Sequence, residues 1–164
     1  MQKFIIGMLV SNQFGVLTRV SGMFARRGFN IDSLTVGVTE IPEYSRMTVT
    51  MTGTTADRDQ MIKQLSKLHD VKEVREMVPD STVVRELILI KVAANSQNRQ
   101  DIMDAVNVFR NKIIDFSPNS ICMEITGESG KLDAFVELMR PYGIIEMCRT
   151  GIVALDRGIV SLKS

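Results

Sequence analysis

Apolar residues follow two spacings along the chain, and the two spacings alternate. Residues 4–10 form a compact apolar run bounded by polar residues, which predicts a buried strand. The following apolar residues recur at helical intervals and predict an amphipathic helix: Val16, Leu17, Val20, Met23 and Phe24. Arg26, Arg27 and Gly28 predict its end, because cations suit the last turn of a helix and glycine suits the left-handed residue after it.

Four further elements complete a first set. Residues 29–38 predict the second strand of this set, and residues 45–51 predict the third, which alternates strictly between apolar and polar positions. Ile62, Leu65 and Leu68 stand at helical spacing, with Thr54 or Thr55 as the expected N-cap. Residues 71–78 predict a fourth strand, so the order is βαββαβ.

The same order then returns. Residues 84–93, 114–117, 121–126 and 144–155 predict strands, the last with a bend at Gly151, and two apolar stripes between them predict helices. The sequence therefore predicts an α+β protein made of two ferredoxin-like βαββαβ sandwiches, residues 1–78 and 83–164, joined by a linker at 79–82. Each sheet would leave one face and two edges uncovered, so we expect a homo-oligomer in which sheets pair.

Composition excludes several classes of function. The 164 residues carry a net charge of +1 and only 5% aromatic residues, which argues against nucleic acid as a partner. No apolar stretch approaches the roughly 18 residues that a membrane span needs. Cys122 and Cys148 lie far apart, and His69 is the only histidine, so we expect no metal site and a cytoplasmic protein.

Polar residues and glycine are concentrated around the first helix. Asn12 and Gly15 precede it and Asn30 follows it. Gly15 would let a ligand approach the free amides of the helix start, which favour a carboxylate, and asparagine carbonyls can accept from an ammonium group. The pattern fits a free amino acid, but turn formation by Asn and Gly explains the same residues.

No catalytic constellation accompanies this stretch. Residues 127–131 resemble a phosphate-binding loop only superficially, because the first glycine is too close to Gly130 and Leu132 replaces the magnesium-binding hydroxyl residue. The segment fits a helix start with Ser129 as its N-cap. No Ser-His-Asp set or paired carboxylate site emerges, so we expect no catalysis in this chain.

Two sets of motifs are similar to a known family. Residues 12–17 (NQFGVL) and 28–31 (GFNI) resemble the opening of an ACT domain, the amino-acid-binding βαββαβ module. Residues 27–36, 45–48, 64–68, 85–87, 126–135 and 149–151 resemble, in the same order, the small regulatory subunit of acetolactate synthase, also called acetohydroxyacid synthase. The resemblance covers nearly the whole chain.

This resemblance implies a valine site between the ACT domains of a homodimer that pairs through its ACT sheets. One side of the site would be lined by Asn12, Gln13, Phe14, Gly15, Val16 and Leu17, and the other by Asn30 and Ile31 of the partner subunit. Phe14 departs from the small residue that many relatives carry there, so valine, leucine and isoleucine all stay open as the preferred effector.

The resemblance also implies a function. The chain would bind and activate the catalytic subunit, in part through residues 83–164, and confer feedback inhibition by valine on branched-chain amino acid synthesis. Thiamine diphosphate, magnesium and FAD would belong to the catalytic subunit, and this chain would hold no cofactor. A free-standing, amino-acid-responsive ACT module is the alternative, and it would need a DNA-binding element. A small acylphosphatase-like hydrolase would need an Arg–Asn pair over a phosphate loop, and Arg19 and Asn30 are not placed for one.

Overall fold

Four antiparallel strands and two helices make the first of two units in the computed structural model, which describes residues 1–163. This unit comprises residues 1–84 and the segment that begins at Ile152. The strands lie in the order β2-β3-β1-β4. The elements are β1 (Gln2–Ser11), α1 (Val16–Arg26), β2 (Ser33–Val38), β3 (Tyr44–Gly53), α2 (Thr55–Leu65) and β4 (Val71–Glu76).

Alternation along β1 builds the core of this unit. Ile6 and Met8 pair with Val49 and Met47 of β3, and residues opposite each other in antiparallel strands share a face. That face packs against both helices and is fully buried. The buried set is Phe4, Ile6, Met8, Val10, Val16, Val20, Phe24, Met47, Val49, Met51, Met61, Leu65, Val71 and Val74.

Helix α1 ends as its sequence predicts, and α2 begins at one of the two predicted caps, although it ends at Leu65, before the predicted stripe residue Leu68. Gly28 has φ +72° and follows the last turn of α1, where its amide donates to the Ala25 carbonyl. Thr54 is the N-cap of α2, and it exchanges hydrogen bonds with Asp57 in a capping box. The bonds from Thr54 lower the pKa of the Asp57 carboxyl.

The second unit, residues 85–151, repeats this plan. Its sheet has the order β6-β7-β5-β8, and its core lies between that sheet and two helices. A short 3-10 turn, Pro79–Ser81, leads into β5, whose first three residues belong to the first unit. The elements are β5 (Thr82–Ala93), α3 (Arg99–Val108), β6 (Lys112–Ser117), β7 (Ser120–Gly127), α4 (Ser129–Met139) and β8 (Ile144–Arg149).

A last strand, β9 (Val153–Asp156), pairs with β5 and is grouped with the first unit, to which the first three residues of β5 also belong. Gly151, with φ +83°, separates it from β8, so the predicted strand 144–155 is two strands. We name residues Ile152–Leu162 the C-terminal strap. It packs on the face of the first sheet that points away from the helices, the far face.

Apolar contacts and two arginines hold the strap there. Ile152 and Ala154 pack with Met77 and Ile5, and Arg46 Nη2 donates to the Ala154 carbonyl at 2.7 Å. Arg75 forms an ion pair with Asp156. Burial in this cluster lowers the pKa of Arg46, which the nearby Asp156 carboxylate partly offsets.

The observed arrangement differs from the predicted one in further places. Strand β2 begins only at Ser33, so residues 29–32 of the predicted strand 29–38 lie outside it. Residues 79–82 form a 3-10 turn and the buried start of β5 in place of a free linker, and the strap returns to the first unit. The N-cap of α4 is Glu128, not Ser129. Ser129 Oγ instead donates to Glu86 Oε2 at 3.2 Å, inside an ion-pair cluster that Arg149 completes with Glu86 and Asp133.

Candidate functional site

Asn12 begins the loop between β1 and α1, and the loop beside it fixes its position. Its backbone amide donates to the Glu43 carbonyl at 2.8 Å, and its Nδ2 donates to the Pro42 carbonyl at 2.9 Å. The side chain is exposed. Nδ2 uses one of its two N–H groups in this bond, and Oδ1 stays available as an acceptor for a ligand.

Gly15 is the N-cap of α1 and has φ +82°, a conformation that glycine adopts without strain. It has no side chain to cap the helix, and no acidic residue lies in the first turn. The amides of Leu17 and Thr18 therefore have no helical partner, and the positive end of the helix dipole is not neutralised by α1 itself. This arrangement suits an anion such as a carboxylate.

Arg19 folds back over Gly15, which sequence reasoning missed. Its Nε donates to Asp70 Oδ2 at 2.6 Å, and its Nη2 donates to the Phe14 carbonyl at 3.4 Å. Its Nη1 would lie 2.9 Å from a Cβ atom placed on Gly15. The signal was available in the spacing, because helical side chains lean toward the N-terminus and residue 19 stands one turn after residue 15.

The other residues predicted for this side divide into exposed and buried ones. Gln13, Phe14 and Leu17 are exposed, and Phe14 is 101% exposed. Val16 is in the core, so only its backbone can contact a ligand. These residues therefore surround the start of α1. The apolar side chains of Phe14 and Leu17 are in solvent, next to the unpaired amides of the first turn.

Asn30 and Ile31 lie on the short connection between α1 and β2. Asn30 is exposed, and its Nδ2 donates to Asp32 Oδ1 at 3.2 Å. Asp32 Oδ2 accepts from Thr52 Oγ1 at 2.7 Å, which ties this connection to the end of β3. Ile31 is partly buried against the first core.

Within one protomer these two groups of residues are far apart. Asn12 is held by Glu43, just before β3 begins, whereas Asn30 is linked through Asp32 to Thr52, at the other end of β3. Positions 43 and 52 are nine residue steps apart along the strand, which corresponds to about 30 Å. A single amino acid cannot bridge that distance.

Strand β2 forms one edge of the first sheet. Val36 and Val38 are exposed on it, Val38 by 72%. An exposed edge strand is a template for pairing with another strand. Because β2 runs antiparallel to β3, its start lies at the Asn30 end of the sheet and its last residue lies at the Asn12 end.

Among residues 1–163, no three acidic, histidine or cysteine side chains are grouped so that they could hold a metal ion. No helix there is both long and apolar enough to cross a membrane.

Comparisons with known proteins match both units. Residues 6–73 match the family model for the AHAS small subunit-like ACT domain, and residues 85–158 match the model for the small subunit of acetolactate synthase. The probable acetolactate synthase small subunit of Methanothermobacter thermautotrophicus is 48% identical over 155 residues, covering 94% of this chain and 92% of the relative.

A second relative and a solved structure agree with these matches. The acetolactate synthase small subunit of Mycobacterium bovis is 44% identical over 153 residues, covering 93% of this chain and 91% of the relative. The crystal structure of the acetolactate synthase small subunit from Thermotoga maritima superposes with a TM-score of 0.89 at 41% identity, covering 98% of this chain and all of that one. The predicted ACT-type fold is confirmed.

Proposed function

Because the chain belongs to the acetolactate synthase small-subunit family, and so is a regulatory subunit of that enzyme, we propose that it activates the catalytic subunit and confers feedback inhibition by valine. The inhibition would lower branched-chain amino acid synthesis when valine is already abundant. In this proposal the assembly works in the cytoplasm, and thiamine diphosphate, magnesium and FAD belong to the catalytic subunit. Residues of the second unit would contribute to contact with that subunit.

The distance between Asn12 and Asn30 carries the proposal for the effector site. One chain holds these residues at opposite ends of β3, so a ligand that touches both needs two copies of the chain. Antiparallel pairing of β2 with β2 of a second copy sets the start of one strand beside the end of the other. The Asn30 end of one protomer then lies next to the Asn12 end of its partner.

The chemistry of the two ends suits a zwitterion. The uncapped amides at the start of α1 would receive the carboxylate, and Asn12 Oδ1 with Asn30 of the partner subunit would accept from the ammonium group. The aliphatic side chain would lie against Leu17 and Phe14, which are exposed in the single chain. This lining accepts valine, leucine or isoleucine, and valine is the effector that we propose.

Inhibition then follows from linkage between two equilibria. Valine bound across two protomers favours one geometry of the dimer, and the activated complex with the catalytic subunit favours another. A coupling free energy of about 1–3 kcal/mol is enough to change activity usefully. Each ligand opposes the other by the same free energy, so the catalytic subunit should also weaken the binding of valine.

Reconstituted enzyme tests this proposal. Purified catalytic subunit is assayed with the wild-type chain, with Asn12→Ala and with Asn30→Ala, each over a range of valine concentrations. We expect the wild-type chain to raise activity and to make it sensitive to valine, and both variants to lose the sensitivity. Gln60→Ala, which removes an exposed amide side chain of α2 in the same unit, is the matched control and should behave as wild type.

Two results would contradict the proposal in different ways. Full inhibition by valine with Asn30→Ala would overturn the site. A wild-type chain that leaves the activity of the catalytic subunit unchanged, with and without valine, would instead favour the free-standing amino-acid-responsive module.

A further inference from the structure

We infer that Arg19 recognises the carboxylate charge of the effector and thereby makes the site selective for free amino acids. The inference rests on the proposed function, because it assigns a role to a residue at that same site. The motif that defines the site does not include Arg19. Its position in the folded chain carries the assignment.

Two hydrogen bonds position the guanidinium of the half-exposed Arg19 side chain next to Gly15. Nε donates to Asp70 Oδ2 at 2.6 Å and Nη2 donates to the Phe14 carbonyl at 3.4 Å, while Nη1 lies over Gly15. Among residues 1–163, no hydrogen-bond acceptor engages Nη1. The group therefore directs a free, charged donor at the loop that precedes the uncapped amides of α1.

Asp70 is itself fixed to the strand that leads into the site. Its side chain is only 12% exposed, and its carbonyl accepts from the Ser11 amide at 2.8 Å. Ser11 directly precedes Asn12. Asp70 therefore fixes the position of Arg19 relative to the Asn12 loop. Groups that bind one ligand together need such fixed relative positions.

The position of this cation is unfavourable for the helix alone. A positive side chain near the N-terminus opposes the helix dipole, and α2 in the same unit carries the favourable acidic residue, Asp57, in its first turn. Asp70 offsets part of the positive charge at α1. A bound carboxylate would offset the rest, and it would receive charge-assisted hydrogen bonds, which are stronger than neutral ones.

The test compares two ligands that differ only in the carboxylate. Valine and valinamide share the side chain and the amino group, but valinamide is neutral where valine is anionic. Binding of each to the full-length chain is measured by calorimetry for wild type and Arg19→Gln. We expect Arg19→Gln to lower the affinity for valine by about ten- to a hundredfold and the affinity for valinamide by less than about threefold. Only valine loses a charge-assisted hydrogen bond in this variant.

Two variants serve as controls. Arg26→Gln removes another exposed arginine of α1, whose Nε donates to the Gly22 carbonyl within the helix, and it should leave both affinities unchanged. Arg19→Lys keeps the charge on a shorter side chain and should retain more of the preference for valine than Arg19→Gln does. If circular dichroism shows that Arg19→Gln does not fold, the inference is tested with Arg19→Lys alone. The measurement is then the ratio of its affinity for valine to its affinity for valinamide.

Each remaining outcome rejects a specific statement. Equal weakening of valine and valinamide in the Arg19 variants would mean that Arg19 only holds the loop, and the inference would fall while the proposed function stands. A wild-type chain that binds valinamide as tightly as valine would also overturn it. If the wild-type chain binds none of valine, leucine and isoleucine, the proposed function fails and the inference fails with it.

Discussion

At Gly15, one missing methyl group leaves the space that the Arg19 guanidinium occupies. A Cβ atom there would lie 2.9 Å from Nη1, and the backbone has φ +82°. The left-handed conformation therefore constrains this residue, whereas the flexible end of Arg19 could shift to admit a Cβ atom. This constraint acts on the loop between Asn12 and the first turn of α1.

We expect Gly15→Ala to lower the free energy of unfolding by about 1–2 kcal/mol, because alanine is strained in the left-handed conformation. Gly22→Ala is the control within the same helix, where the nearest atom to the new Cβ is Arg26 Nη2 at 3.9 Å. That change should stabilise the chain by about 0.5–1 kcal/mol, since alanine is the better helix former. Urea unfolding measures both, and a stabilising Gly15→Ala would show that the left-handed conformation is dispensable.

At the scale of the element, the two helices of the first unit begin in opposite ways. Helix α2 has a complete capping box, in which Thr54 Oγ1 accepts from the Asp57 amide at 3.2 Å and Asp57 Oδ2 accepts from the Thr54 amide at 2.8 Å. Helix α1 has neither a capping side chain nor an acidic first turn. The capped start serves stability, whereas the uncapped one keeps its amides available.

Removing the cap of α2 should destabilise the chain. We expect Thr54→Ala to cost about 1 kcal/mol at neutral pH, the usual loss for an N-cap threonine. Thr55→Ala, one position into the helix and equally exposed, should be neutral or slightly stabilising. Urea unfolding of the two variants side by side measures the difference, and equal losses would argue against the cap.

The same cap predicts a dependence on pH. The bonds from Thr54 lower the pKa of Asp57 in the folded chain. The stabilisation is therefore complete above the unfolded pKa of about 3.9 and is lost as the pH falls through the lower, folded pKa. The gap in stability between wild type and Thr54→Ala should narrow on acidification through this range. A gap that stays constant from neutral to acidic pH would contradict the assigned role of the carboxylate.

At the scale of the whole molecule, the first unit is assembled from two distant parts of the sequence. Arg46 reaches a carbonyl 108 positions further along the chain, and Arg75 reaches Asp156. Gly7 adds to the fit, because the absence of a Cβ lets the Met77 sulfur lie directly on β1. The strap thereby covers a sheet face that a ferredoxin-like unit would otherwise expose.

We expect Asp156→Asn to destabilise the first unit by about 1.5–3 kcal/mol, the usual worth of a hydrogen bond to a charged group. It would also leave Arg46 and Arg75 without their shared negative neighbour. Asp80→Asn, at an exposed aspartate, is the control. Trypsin provides a local measurement, since a loosened strap should be cut faster after Arg157, and an unchanged cleavage rate would contradict the anchoring role.

The order of elements could be predicted from the sequence because it depends on local periodicity. Strand β3 alternates and α1 carries an apolar stripe, and each pattern is visible within about ten residues. The strap could not be predicted in this way. Its four-residue strand is too short to show a period, and its partners, Arg46 and Met77, are remote in sequence.

Some features of the candidate site could likewise be predicted from the local sequence, and others could not. The uncapped start of α1 could be predicted from Gly15, and the amino-acid-binding motif could be recognised from residues 12–17 and 28–31. The contact between Arg19 and Asp70 could not, because it joins residues 51 positions apart on separate elements. The arrangement of Asn12 and Asn30 around one effector stays a prediction, since it depends on a second copy of the chain.

The return of the strap to the first sheet has a consequence for synthesis on the ribosome. Residues 85–151 are translated between the two parts of the first unit. While residues 85–151 are being translated, the strap does not yet cover Ile5, Met77 and the half-buried Arg46. The nascent chain therefore exposes an apolar sheet face. The first unit is therefore complete only after the second has been made, and a chain that ends before Ile152 would leave this sheet face uncovered and open to aggregation.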